Sequence, residues 1–160
     1  IKLVFMKSIP SVVVPIITEE QIQNSNLFDT LKNKKIIIFG VPGAFTPTCS
    51  EKHLPGFYKN YNSFKLKGIE DIFCLSVNDP YVMKSWLSSY NQENTIKGIA
   101  DGNAEISNLL NVTSDKSSNY MGVRCDRFAM VVKNNIIDEI YIEKPGTLDV
   151  SSAESILTKL

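Results

Sequence analysis

A chain of 160 residues with 43% hydrophobic content can bury one core without metal or disulfide staples, and its length points to a single domain over 1–160. The 17 basic and 17 acidic residues cancel, which excludes a basic field for nucleic acid or anionic lipid. No apolar run approaches the roughly 18 residues of a membrane span. The three cysteines, Cys49, Cys74 and Cys125, fit neither a disulfide framework nor a zinc site; they suit a reducing compartment with one chemically used thiol at most.

In chain order, KSIPSVVVP (7–15) reads as an opening turn and short strand. TEEQIQNSNLFDTLKN (18–33) is polar and mixed, a short strand or helix turn followed by a helical turn at Asn26–Leu31. KIIIFGV (35–41) is a β-branched apolar run, the pattern of a central buried strand. From Thr48 to Lys67, Leu54, Phe57, Tyr58, Tyr61 and Phe64 recur at helical spacing, so a helix is expected there, kinked at Pro55. IEDIFCLSV (69–77) is a second buried strand. Residues 80–90 form a helix with Asp79 as cap and Pro80 at its first position. A short strand at 96–100, a short helix at 104–110, a hairpin of 127–133 and 136–142 about Asn134-Asn135, and a terminal helix at 150–160 complete the chain. Alternating strands and helices that end in a hairpin imply an α/β, thioredoxin-like fold, a mixed central sheet with helices on both faces.

The chemistry centres on VPGAFTPTCSEKHLPGF (41–57). Pro42 ends the buried strand, Gly43 frees the turn, Thr46 or Thr48 caps a helix and Pro47 suits its first residues. Cys49 then lies in the first helical turn, where unpaired N–H groups and the helix dipole favour an anion, and a thiolate is a nucleophile. It also sits beyond the carboxyl end of a central strand, where α/β folds place ligands. The bland alternative is a small buried cysteine.

Pro42, Thr46 and Cys49 spell PxxxTxxC, which resembles the active-site motif of peroxiredoxins. GVPGAFTPTCSEKHLPGF resembles the atypical peroxiredoxin 5 and plant type II subgroup in particular. KSIPSVVV, LSVNDPYVMKSW, ADGNAEI and GVRCDRFAMVV match further segments of that subgroup in order, so the resemblance runs from about Ser8 to Leu160. It implies a thiol-dependent peroxidase reducing hydrogen peroxide and alkyl hydroperoxides. Cys49 would be the peroxidatic nucleophile and would pass through a sulfenic acid. Thr46 would hydrogen-bond thiolate and peroxide, Arg127 would stabilise the thiolate and the leaving oxygen, and Pro42 would shield the site. Thr46 has a plain alternative as a cap, and Arg127 as a surface residue at a strand start. Only Arg124 and Arg127 are arginine; Arg124 reads as a supporting residue or as part of a surface ion pair. His53, the sole histidine, lies one turn beyond Cys49 and invites a thiolate–imidazolium reading, although the subgroup credits its thiolate to the arginine and the helix.

The resemblance implies no metal and no other cofactor. Val150 stands where animal relatives carry a second reactive cysteine. Cys74 reads as buried, and Cys125 as a less favoured resolving or regulatory thiol. A one-cysteine enzyme follows, re-reduced by glutathione, glutaredoxin or thioredoxin, and a homodimer is expected. The lysine and asparagine bias adds a protozoan, Plasmodium-like character. An organelle, plastid or mitochondrion, is the expected location if an upstream segment has been removed, and the cytoplasm otherwise. Two other readings stand beside this one. A thiol–disulfide exchanger is disfavoured because Lys52 occupies the last position of a CxxC or CxxS. A redox-relay or holdase-type binding protein needs no peroxidase chemistry.

Overall fold

The computed structural model describes residues 2–3, 7–19, 21–90 and 95–160, so part of the opening IKLVFMK lies outside the described residues. Its strands are β1 (Lys2–Leu3), β2 (Lys7–Ser8), β3 (Val13–Thr18), β4 (Gln21–Asn26), β5 (Lys35–Gly40), β6 (Asp71–Ser76), β7 (Lys97–Ala100), β8 (Thr113–Asp115), β9 (Val123–Cys125), β10 (Phe128–Lys133) and β11 (Ile136–Ile142). Nine of them form one sheet in the order β1-β11-β10-β5-β6-β7-β3-β4, with β2 also pairing to β11. The β5–β6 and β6–β7 pairs are parallel and the other pairs antiparallel, which is the mixed sheet of a thioredoxin-like α/β fold.

Strand parity decides what each face carries. On β5, Ile37 and Phe39 face one core layer, and Ile36 and Ile38 the other. The first layer is closed by α2 (Leu54–Lys59), α3 (Tyr61–Leu66), α4 (Pro80–Ser88) and α6 (Ala153–Leu157), through Phe57, Phe64, Met83, Trp86 and Ile156. The second is closed by α1 (Leu27–Leu31) and α5 (Glu105–Leu109), through Leu27, Leu31 and Ile106. Both faces of β5 and β6 are therefore buried, which is why their sequences read as unbroken apolar runs.

Local chemistry explains most boundaries. Asp79 Oδ1 accepts from the Val82 amide at 2.9 Å and caps α4. The Asn26 side chain does the same for α1 through the Asp29 amide, at 3.1 Å. The β10–β11 turn puts Asn134 and Asn135 at φ 46° and 65°, positions asparagine tolerates. The helix expected from Thr48 to Lys67 does not kink at Pro55. Its opening turn is π-wound over Cys49–His53, with the Leu54 amide bonding back to the Cys49 carbonyl. Pro55 then falls in the first turn of α2, where its missing N–H costs little, and the break comes at Asn60. The terminal helix is shorter than 150–160, because Ser152 caps it by accepting from the Ser155 amide at 3.2 Å. The small β8–β9 hairpin has no hydrophobic period and is not visible in the sequence pattern.

Gly40 ends β5 opposite Phe128, and a Cβ added there would lie 2.1 Å from the Phe128 ring. Gly40→Ala must displace that ring, which belongs to the residue after Arg127. The expected loss is about 1–3 kcal/mol of unfolding free energy, read by urea denaturation.

Candidate active site

The loop after β5 brings Pro42, Thr46 and Cys49 to the carboxyl edge of the parallel strands. The Val41 amide still bonds to the Leu75 carbonyl at 3.0 Å, and at Pro42 the ladder ends. The Thr46 amide turns back to the Gly43 carbonyl, and the first helical bond runs from the Ser50 amide to the Thr46 carbonyl at 2.9 Å. Thr46 thus occupies the cap position. Its hydroxyl does not accept from the helix, however; it donates to the Gly43 carbonyl at 2.6 Å. With its proton so placed, the oxygen offers only lone pairs to anything else, an acceptor for a peroxide O–H.

Arg127 immediately precedes β10. Parity sends it to the face of Ala129 and Val131, the layer that also contains Cys49. There Arg127 Nη2 donates to the Cys49 sulfur at 3.1 Å. Its Nη1 lies 3.0 Å from His53 Nδ1, and His53 Nε2 lies 2.9 Å from the Ser151 carbonyl oxygen. A guanidinium can only donate, so Nδ1 accepts, and the ring proton sits on Nε2 and goes to Ser151. The imidazole is packed against Phe39 and Phe57 and is 1% exposed. Burial, and then the Arg127 charge, push its pKa down to about 3, against the opposing effects of the Ser151 bond and Glu143. His53 is therefore neutral, and this geometry contains no thiolate–imidazolium pair.

Arg124 is held by two carbonyls, Met121 through Nε at 2.8 Å and Pro42 through Nη1 at 3.2 Å. It braces the turn carrying Pro42, in place of the surface ion pair considered from sequence. A cleft of about 570 Å³ opens above, lined by Pro42, Thr46, Lys116, Met121, Arg127 and Lys144 among others. Its lining includes Thr48, beside Cys49 in the chain, and Arg127, which donates to the Cys49 sulfur; Cys49 itself is 1% exposed.

The other two cysteines are separated from this chemistry. Cys125 packs in the layer on the opposite face of the sheet, and its thiol donates to the Val41 carbonyl at 3.1 Å. Burial pushes its pKa far up. Cys74 shares the Cys49 layer but is fully enclosed, and burial raises its pKa well above the usual thiol range. Among the described residues, no cluster of histidine, cysteine and carboxylate could hold a metal ion.

Glu143 belongs to the site and escaped the sequence reading. One of its carboxylate oxygens accepts from the Asp149 amide at 2.6 Å, the Ser151 amide at 2.9 Å and the Ser151 hydroxyl at 2.7 Å; the other accepts from the Thr147 hydroxyl at 3.1 Å. Burial works to raise its pKa, but these bonds together outweigh it and hold the carboxyl below its ordinary range. The only sequence signal is an acid at the end of β11, followed by a loop rich in Thr, Asp and Ser. Ser50, next to Cys49, is held from α4 and beyond: Trp86 Nε1 donates to its hydroxyl at 3.0 Å and the Tyr90 hydroxyl to its carbonyl at 2.6 Å.

A buried cysteine at a helix start, with an arginine donating to its sulfur on a thioredoxin-like sheet, defines the class. Residues 7–157 match the Redoxin family, and the chain belongs to it. It is 43% identical over 141 residues to peroxiredoxin-2B of Arabidopsis thaliana, covering 88% of this chain and 87% of that one. The solved Plasmodium falciparum antioxidant protein, a 1-Cys peroxiredoxin, superposes with a TM-score of 0.87 at 35% identity over 94% of each chain. Reduced Prx3 of Vibrio vulnificus in complex with hydrogen peroxide superposes at 0.88 with 35% identity, over 96% of this chain and 92% of that one. Within the family the protein is a peroxiredoxin of the type II and peroxiredoxin 5 subgroup, a thiol peroxidase whose peroxidatic residue is Cys49.

The neutral state of His53 fixes a pH dependence. Unfolded, the ring takes up a proton near its ordinary 6.5; folded, it does so only near 3. Its stability contribution is full above that upper value and is lost as pH falls toward the lower one. Between pH 7 and 5 this ring alone accounts for about 2 kcal/mol of lost unfolding free energy. Urea titrations at the two values are expected to show a correspondingly smaller loss in His53→Gln.

Proposed function

We propose that this peroxidase reduces hydrogen peroxide and alkyl hydroperoxides at Cys49, with Thr46, Arg127 and Pro42 as working partners, and is restored by glutathione, directly or through glutaredoxin. Thioredoxin is the second choice of reductant. The observation that carries the site reading is the 3.1 Å donation from Arg127 to the Cys49 sulfur. A guanidinium there donates to the sulfur, and its planar fork can also meet charge that grows on a neighbouring oxygen.

The thiolate attacks one peroxide oxygen. The S–O bond forms as the O–O bond breaks, giving Cys49 sulfenic acid and an alkoxide or hydroxide that takes up a proton. Thr46 accepts from the peroxide O–H, which orients the attacked oxygen. One glutathione thiol then displaces water from the sulfenic acid to form a mixed disulfide. A second displaces Cys49 as thiolate and leaves as glutathione disulfide.

Two features support an external thiol. Neither remaining cysteine reaches Cys49: one lies across the sheet and the other is enclosed beside it. The cleft, within the roughly 300–1,000 Å³ usual for small-molecule sites, carries Lys116 and Lys144 at its walls, cations suited to the carboxylates of a glutathionyl group. A one-cysteine cycle of the kind named for the Plasmodium protein fits the same facts. A homodimer is supported by apolar side chains left in solvent, among them Phe45, Tyr81 and Tyr120 at 56%, 76% and 99% exposure, and sedimentation equilibrium tests it.

Stopped-flow oxidation by tert-butyl hydroperoxide, followed by Trp86 fluorescence, tests the peroxidase step. Cys49→Ser is expected to abolish the signal and Arg127→Ala to slow it by roughly 10²–10³-fold. An Arg127→Ala rate equal to wild type would remove the arginine from the mechanism. For the reductant, steady-state turnover with glutathione is expected to need about tenfold more thiol in Lys116→Glu/Lys144→Glu, with the oxidation step unchanged.

A further inference from the structure

We infer that Glu143 is a positioning residue for the peroxidase step: its carboxylate latches residues 144–151 so that Ser151 fixes His53, and His53 fixes Arg127 against the Cys49 sulfur. The inference rests on the peroxidase assignment and concerns how its arginine is aimed.

The path is closed at both ends. The Glu143 amide donates to the Arg127 carbonyl at 2.9 Å, so its backbone abuts the arginine's own. Its side chain reaches the same arginine by a longer route. Two of the three donors to Oε2 belong to Ser151, the amide and the hydroxyl. The third is the Asp149 amide, and Thr147 holds Oε1. This leaves the Ser151 carbonyl in one orientation, and that carbonyl takes the Nε2 proton of His53. With the proton placed there, Nδ1 is an acceptor and holds Arg127 Nη1. The guanidinium is rigid and planar, so fixing Nη1 fixes the direction of Nη2, the atom that meets sulfur.

Each member is enclosed. Ser151 is fully buried, His53 is 1% exposed and Glu143 is 9% exposed. Without the carboxylate, the Ser151 amide and hydroxyl become buried donors without an acceptor, and the loop must move to reach water. His53 then loses its Nε2 acceptor and is free to turn, and Arg127 loses its second anchor.

Single-turnover oxidation of Cys49 by peroxide tests this. Glu143→Ala is expected to slow oxidation by roughly 10–100-fold. Glu143→Gln keeps an oxygen for Ser151 and is expected to recover most of the rate. Leu31→Ala opens a cavity in the opposite core layer; it serves as the destabilised control and is expected to leave the rate unchanged in folded protein. The proposal is overturned if folded Glu143→Ala oxidises at the wild-type rate, if Glu143→Gln recovers none of the loss, or if Leu31→Ala matches its defect. Wild-type oxidation no faster than that of a free thiol would sink the peroxidase assignment itself, and this inference with it.

Discussion

One guanidinium holds this site together. Arg127 divides its donors between a sulfur and an imidazole nitrogen, and the second bond requires the imidazole to be neutral. A protonated His53 would set two cations 3.0 Å apart in a layer with little water to screen them. Burial among Phe39 and Phe57 prevents this. The aromatic packing of the core is therefore part of the electrostatics of the site: it keeps an acceptor available to the arginine.

Strand parity supplies the second constraint. A strand's side chains alternate between faces, so the sheet acts as a partition. Arg127, two residues before Ala129 on an antiparallel partner of β5, is delivered to the face where the helix carries Cys49. Cys125 is consigned to the opposite layer, hydrogen-bonded to the carbonyl of Val41. Neither of the other two cysteines stands free to meet Cys49, because Cys74 is enclosed in the packing of the same layer and Cys125 lies across the sheet.

Much of this is legible in the sequence because it rests on local rules. Apolar runs mark β5 and β6, Asp79-Pro80 marks the start of α4, and Asn134-Asn135 marks the hairpin. The thiol at a helix start is equally local. What escapes is irregular local geometry that leaves no hydrophobic period. Pro55 looks like a kink within a helix, yet π winding ahead of it moves the proline to a first turn. Thr46 looks like a cap, yet its hydroxyl turns to the Gly43 carbonyl. The β8–β9 hairpin is too short and polar to have a period. Glu143 acts through a loop that folds back on it, and its donors lie four, six and eight residues away, in a stretch with no strand or helix to announce them.

The grip on Ser50 has a consequence in time. Cys49 is covered, and a loosening of the first helical turn would expose it. That loosening must break the bonds from Trp86 and Tyr90, which tie the next residue at its hydroxyl and its carbonyl. Each is worth about 1 kcal/mol net, enough together to make the loosened form a minor species. The two aromatic side chains thus act as an escapement. They bond to Ser50, the neighbour of the cysteine, and so set a cost on moving the turn that carries it.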